Sequence, residues 1–204
     1  MKRLTPHASP LFFCSVIIGL VLVPSIASAH LVTTGMGPVY DGIGHLLLTP
    51  EDLVPALAVA IYSGMLGVVA GRRAIFLLPL AWLTGGLAGL FGGSQFSDLL
   101  PALSFLVLGS LIAFDLRLPL IGFTLLTVMV GLFHGFSNGV SIEEGAGELG
   151  LIGVAVALFV MVTVVSAFIV SLQRTWTRIV VRVSGSWIVA IGMLMIGWFV
   201  RGRG

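Results

Sequence analysis

The sequence predicts an all-α fold: a polytopic membrane helix bundle of six transmembrane helices after a cleaved signal peptide, with a short interfacial or re-entrant segment before the first span. Three observations lead there. Of 204 residues, 58% are hydrophobic and only 9% charged, where a soluble domain carries about 25% charged residues. The mean hydropathy is +1.17. The apolar residues also come in runs of the length, about 20 residues, that carries a helix across about 30 Å of hydrocarbon. Disorder is excluded, because a disordered chain combines low hydrophobicity with high net charge, and the net charge here is +2.

At the amino terminus, Lys2 and Arg3 form a basic n-region and Leu11 to Val23 an apolar h-region. Pro24 breaks the helix ahead of Ala27-Ser28-Ala29, the small-x-small pattern that signal peptidase reads. Residues 1–29 are therefore expected to be removed as a signal peptide, so that the mature chain starts at His30; an uncleaved signal anchor is the alternative. Residues 30–204 form a single transmembrane domain, with spans expected over about 53–71, 74–92, 98–115, 119–138, 149–172 and 180–200. Arg72 and Arg73, then Arg117, then Arg174, Arg178 and Arg182 follow the first, third and fifth runs. The positive-inside rule puts all of them in the cytoplasm, in a bacterial inner membrane with the mature amino terminus on the periplasmic side. Arg201 and Arg203 fall outside in this arrangement.

Asp41, Glu51, Asp52, Asp98, Glu143, Glu144 and Glu148 then face outward, leaving Asp115 as the cytoplasmic acid. Carboxylates at the mouth of a low-dielectric body concentrate cations; acids that cap helices and solvate loops are the alternative. Thr49-Pro50-Glu51-Asp52 fits that alternative as a helix start, with Thr as N-cap, Pro at the first helical position and acids in the first turn. Gly85, Gly89 and Gly93, Gly131, Gly135 and Gly139, and the pair Gly67 and Gly71 recur every four residues. Such faces pack helices closely, within the bundle or between copies of a homo-oligomer.

The sequence pI near 9.2 does not signal a nucleic-acid partner, since the basic residues are scattered between apolar spans and form no stripe. A single cysteine, Cys14, excludes a disulfide framework and multi-Cys metal sites. Nucleophile-elbow, Walker, dinucleotide and His-Glu-x-x-His patterns are all missing from the sequence, so no enzyme activity and no permanently bound cofactor are expected.

Residues 30–50 are too short and Gly-rich to span, yet too apolar to float in water, and are read as packed on the outer end of the bundle. In a helix Asp41 and His45 share one face at i and i+4. His134 lies about 24 Å along the fourth span from its cytoplasmic start, near the outer end, and Asn138 follows at i+4. An ionisable residue within a span is a functional candidate because burying it is costly. His45, His134, Asp41 and Asn138, with His30 as a further ligand, thus make one expected outer-facing cluster. Imidazole and carboxylate donors without thiolate suit Ni²⁺, Co²⁺ or Zn²⁺ better than Cu⁺. Structural hydrogen bonding by the same histidines is the alternative.

Tyr40-Asp41-Gly42-Ile43-Gly44-His45-Leu46-Leu47 followed by Thr49-Pro50-Glu51-Asp52, and Phe133-His134-Gly135 in the fourth span, resemble the HupE/UreJ family of hydrogenase and urease accessory membrane proteins, specifically its second group. The resemblance covers the whole chain. It implies a six-span bundle that acts as a nickel or cobalt permease, or alternatively a non-transporting accessory protein that binds metal or metalloenzyme-maturation proteins. In better-characterised permeases of this family an adjacent Asp-His precedes the first span, and the later motif reads Phe-His-Gly-x-Ala-His-Gly-x-Glu. Here Asp41 and His45 are three residues apart, and Asn138 and Ser141 stand where that motif has its second His and its Glu. His134 is the residue carried over directly.

Overall fold

The structure is a computed structural model that describes residues 34–92, 99–142, 147–172 and 175–202. The signal segment, His30, Gly93, Asp98, Glu143, Glu144 and Arg174 lie outside the described residues. Seven helices make up the described secondary structure: α1 (Pro38–Leu48), α2 (Pro50–Leu66), α3 (Val68–Leu90), α4 (Leu99–Ala113), α5 (Leu120–Ile142), α6 (Gly147–Ser171) and α7 (Thr175–Arg201).

A helix underlies each of the six expected runs, but the helices are unequal. α3, α5, α6 and α7 are each long and apolar enough to cross a bilayer; α1 and α2 qualify only as a pair, bent by 78°, and α4 counts 15 residues. Against six expected spans, four helices among the described residues, or five counting the bent pair as one span, are long and apolar enough to cross. The bend has a local cause. Thr49 precedes Pro50, whose ring forces its neighbour out of the helical region, and Thr49 is extended at φ −102°, ψ 97°. Pro50 then opens α2 at a position where its missing N–H costs nothing.

The boundary between the first two runs also moves. Instead of continuing to residue 71, α2 stops at Gly67, whose φ of +107° is open to glycine and strained for other residues. Gly67 and Gly71 are therefore not a packing pair: Gly67 is the break, while Gly71 lies against Ser166 of α6. Arg72 and Arg73 sit in the second turn of α3 rather than in a loop, and Arg73 Nη1 donates to Thr124 Oγ1 at 2.9 Å.

The other glycine faces do pack. α3 and α5 run parallel, and a Cβ on Gly85 would strike the Leu132 carbonyl, on Gly89 that of Phe136, on Gly135 that of Trp82 and on Gly139 that of Gly86. Backbone touches backbone along this seam, as small residues at four-residue spacing permit. α4 and α7 form an antiparallel pair through Gly109, Gly185 and Gly192, and α6 receives α1 through Gly42 against Gly150 and Gly153 against Val39. Leu46, Val59, Tyr62, Leu78, Trp82, Phe105 and Leu158 fill the interior, whereas Leu125, Met129, Val164, Leu194 and Trp198 stand exposed on the outside. Such an apolar exterior is a liability in water and the normal surface in lipid. The chain is a multi-pass membrane protein.

At the far end of α2, the Tyr62 hydroxyl donates to the Leu116 carbonyl at 2.8 Å and accepts from the Leu118 N–H at 3.1 Å, which ties down the connection from α4 to α5. Arg73, Arg178 and Arg182 belong to this end of the bundle, and the N-terminus of α2 marks the other.

Gly135→Ala should lower the thermal unfolding midpoint of the purified protein, because overpacking a filled seam costs about 1–3 kcal/mol. Gly197→Ala, where a Cβ meets nothing within 4 Å, should leave it unchanged or raise it. Equal effects in the two variants would contradict the seam.

Candidate functional site

The site begins with Pro50. Because it fixes the start of α2, Asp52 falls in the first turn, where an acid ordinarily faces water and favours the helix dipole. Asp52 instead points inward and is only 7% exposed. Thr49, expected as the cap, makes no side-chain cap bond.

Five side chains from four other helices surround this carboxylate or its partner. Oδ1 lies 3.1 Å from His134 Nδ1, and Oδ2 accepts from Asn138 Nδ2 at 2.7 Å. His134 and Asn138 are one turn apart on α5, which lets both reach the same carboxylate. His45, in the last turn of α1, brings Nε2 within 3.9 Å of Oδ2. Its side chain keeps 18% exposure against 2% for His134, so His45 forms the accessible rim and His134 the floor. From α4, Ser104 Oγ lies 3.0 Å from His134 Nε2 and 2.7 Å from the Pro101 carbonyl. From α3, the Trp82 ring stacks on the imidazole, with centroids 5.5 Å apart and planes 21° apart.

The Ser104 hydroxyl has one proton to donate. It can go to the Pro101 carbonyl or to Nε2, so Ser104 ties the hydrogen bonding of His134 to α4.

Two buried polar atoms here, Asn138 Oδ1 and Trp82 Nε1, have no partner among the described residues. Such atoms are few in folded proteins, and each calls for an explanation, of which a water or an ion is one. Because Asn138 spends its donor on Asp52, the orphan is an acceptor oxygen beside a carboxylate, the arrangement that a cation completes.

Of the residues expected from the sequence, His45, His134 and Asn138 meet, and His30 lies outside the described residues. Asp41 does not join them. Its Oδ1 accepts from the Thr34 backbone N–H at 2.5 Å and from Thr34 Oγ1 at 2.7 Å, so it holds the chain ahead of α1 while His45 turns toward α2. The carboxylate of the cluster is Asp52, and the sequence carries a signal for it: positions 52, 55, 56, 59, 62 and 63 share one helical face, and all six are among the buried residues of α2. Among the described residues no three or more His, Cys, Asp or Glu side chains are arranged to hold a metal ion. Both nitrogens of His134 are engaged in hydrogen bonds, while Asn138 Oδ1 is left over.

Asp52→Ala leaves His134 and Asn138 buried without their partner and should destabilise the protein by about 3–5 kcal/mol, read as a large fall in the thermal midpoint. Asp41→Ala should leave the midpoint near that of the unmodified chain. Similar midpoints for the two variants would contradict the assignment of Asp52 as the centre.

Comparison with known proteins agrees with this reading of the chain. The family model described as "HupE / UreJ protein" matches residues 18–195. "Protein HupE" of Rhizobium leguminosarum bv. viciae is 24% identical over 185 residues, which cover 88% of this chain and 94% of that protein. No solved structure matches the chain. The matched region includes α1 through most of α7 and every residue of the Asp52 cluster, and the chain belongs to the HupE/UreJ family.

Proposed function

We propose that this protein is a secondary permease-like carrier of a divalent transition metal, nickel or cobalt, across the bacterial inner membrane, with the Asp52 cluster as its entry site. One observation carries the reading: a buried carboxylate touched by two imidazoles, beside an amide whose oxygen has no partner among the described residues. Oxygen and nitrogen donors without thiolate match a divalent first-row ion. Membership of the HupE/UreJ family, for some of whose members the resemblance implies nickel or cobalt transport, points the same way.

The cation would arrive at His45, the more exposed imidazole, and be drawn to the Asp52 charge. Binding replaces hydrogen bonds by coordination. A half-turn of the Asn138 amide exchanges the Nδ2 donor for the free Oδ1, and His134 yields Nδ1 while Ser104 and Trp82 keep the ring in place. The positive-inside rule sets the arginine-rich end of the bundle in the cytoplasm and this cluster at the periplasmic face. No nucleotide motif is present in the sequence, so transport would be driven by a gradient or by removal of the ion inside.

A second reading is a non-transporting accessory protein that binds metal, or a metalloenzyme-maturation partner, at the same face. It is favoured by the buried hydroxyls farther along the bundle: Ser63 and Thr127 each bond a carbonyl of their own helix, Ala60 and Phe123, and offer no obvious polar path inward.

Uptake of radiolabelled nickel and cobalt by cells lacking other nickel permeases separates the two. At matched membrane expression, Asp52→Asn and the double variant His45→Ala/His134→Ala should reduce uptake by at least about tenfold, while Asp41→Ala retains most of it. Equal accumulation with the native chain, the variants and an empty vector would overturn the carrier and leave the accessory reading.

A further inference from the structure

At the opposite end of the bundle from Asp52, a cavity of about 420 Å³ opens between the C-terminal end of α2, the start of α3, the end of α6 and the first turns of α7. Its size lies within the range of small-ligand sites. The charged residues on its walls are Asp115, Arg178 and Arg182. Among the described residues neither Asp115 nor Arg178 forms an ion pair, although they line one space. Arg182 donates Nε to the Ala113 carbonyl at 2.9 Å, which leaves its outer guanidinium nitrogens for another acceptor.

The helix ends sharpen this separation of charge. Arg178 and Arg182 stand in the first two turns of α7, which has no acid in its first turn. Cations there oppose the helix dipole, so that wall is a positive pole awaiting an anion. Asp115 follows the carboxyl end of α4, where the dipole is already negative. It is also held at φ +52°, uniquely among the described non-glycine residues, a conformation that costs a non-glycine residue free energy and is tolerated best by Asp and Asn. Between and beside the poles the lining is apolar, with Val68, Ile169 and Val181, and Val68 is half exposed.

The geometry points to a zwitterionic aminophospholipid as the occupant: its phosphate on Arg178 and Arg182, its primary ammonium on Asp115, and its acyl chain leaving over Val68. An anionic lipid would satisfy the arginines and repel Asp115. A choline lipid would present an ammonium with no N–H to donate. The site is separate from the Asp52 cluster and does not depend on the metal reading.

The test is lipid retention by the purified full-length protein in detergent, followed by native mass spectrometry during titration with phosphatidylethanolamine, phosphatidylglycerol and phosphatidylcholine of identical acyl chains. The native chain should retain phosphatidylethanolamine several-fold better than the other two. Asp115→Asn, which keeps the backbone conformation comfortable, should lower phosphatidylethanolamine retention and raise that of phosphatidylglycerol. Arg178→Gln, at an exposed position, should weaken both. Equal retention of the three lipids by the native chain would overturn the proposal, as would an unchanged preference in Asp115→Asn or displacement of the lipid by equimolar soluble phosphoethanolamine.

Discussion

A carboxylate withdrawn from water must be paired, because an isolated buried charge is many times more costly than the few kcal/mol by which a domain is stable. Asp52 is in that position, and much of the bundle is arranged around meeting its requirement. α1 supplies His45, α4 holds Ser104 behind the ring, and α5 supplies His134 and Asn138. Replacing such a network by apolar side chains is often neutral or stabilising, so stability alone gives little reason for building it. Its composition, with an acceptor oxygen left over, is what the proposed cation-binding role rests on.

The glycine seam is the condition for this arrangement. α5 can bring His134 under the Trp82 ring only because Gly131, Gly135 and Gly139 let its backbone rest on that of α3. A side chain on this seam would push α5 outward by more than a hydrogen bond can stretch. The bend at Thr49 plays the same part for His45: a straight helix through residues 38–66 would carry it two turns above Asp52, whereas the 78° turn folds it back beside Oδ2.

Much of this was legible in the sequence. The apolar runs locate the helices, and Phe133-His134-Gly135 with Asn138 one turn on locates the floor of the site. What failed has physical reasons. Asp41 sits at the right spacing from His45, but spacing on one helix says nothing about the bend that follows, and Thr34 satisfies its carboxylate. Thr49-Pro50-Glu51-Asp52 is a good helix start, and that explanation concealed the fact that Asp52 lies on the buried stripe with Pro55, Ala56 and Val59. Gly67 and Gly71 have the spacing of a packing pair, yet a positive φ at Gly67 makes it the break between α2 and α3. Trp82 and Ser104 act through His134 from other helices and have no local signature.

Among the described residues the charged groups of the two sites thus lie at two ends, a polar network around Asp52 and a dipolar cavity near the arginines, with packing between them that is apolar apart from hydroxyls such as Ser63 and Thr127. The central claim is that Asp52 is the ligand around which a divalent ion is held. Nickel X-ray absorption on the purified full-length protein tests it most directly. The account predicts bound nickel with imidazole nitrogen and carboxylate oxygen ligands, lost in Asp52→Asn and retained in Asp41→Ala. Nickel bound with the same spectrum in Asp52→Asn, or no nickel held by the native protein, would contradict it.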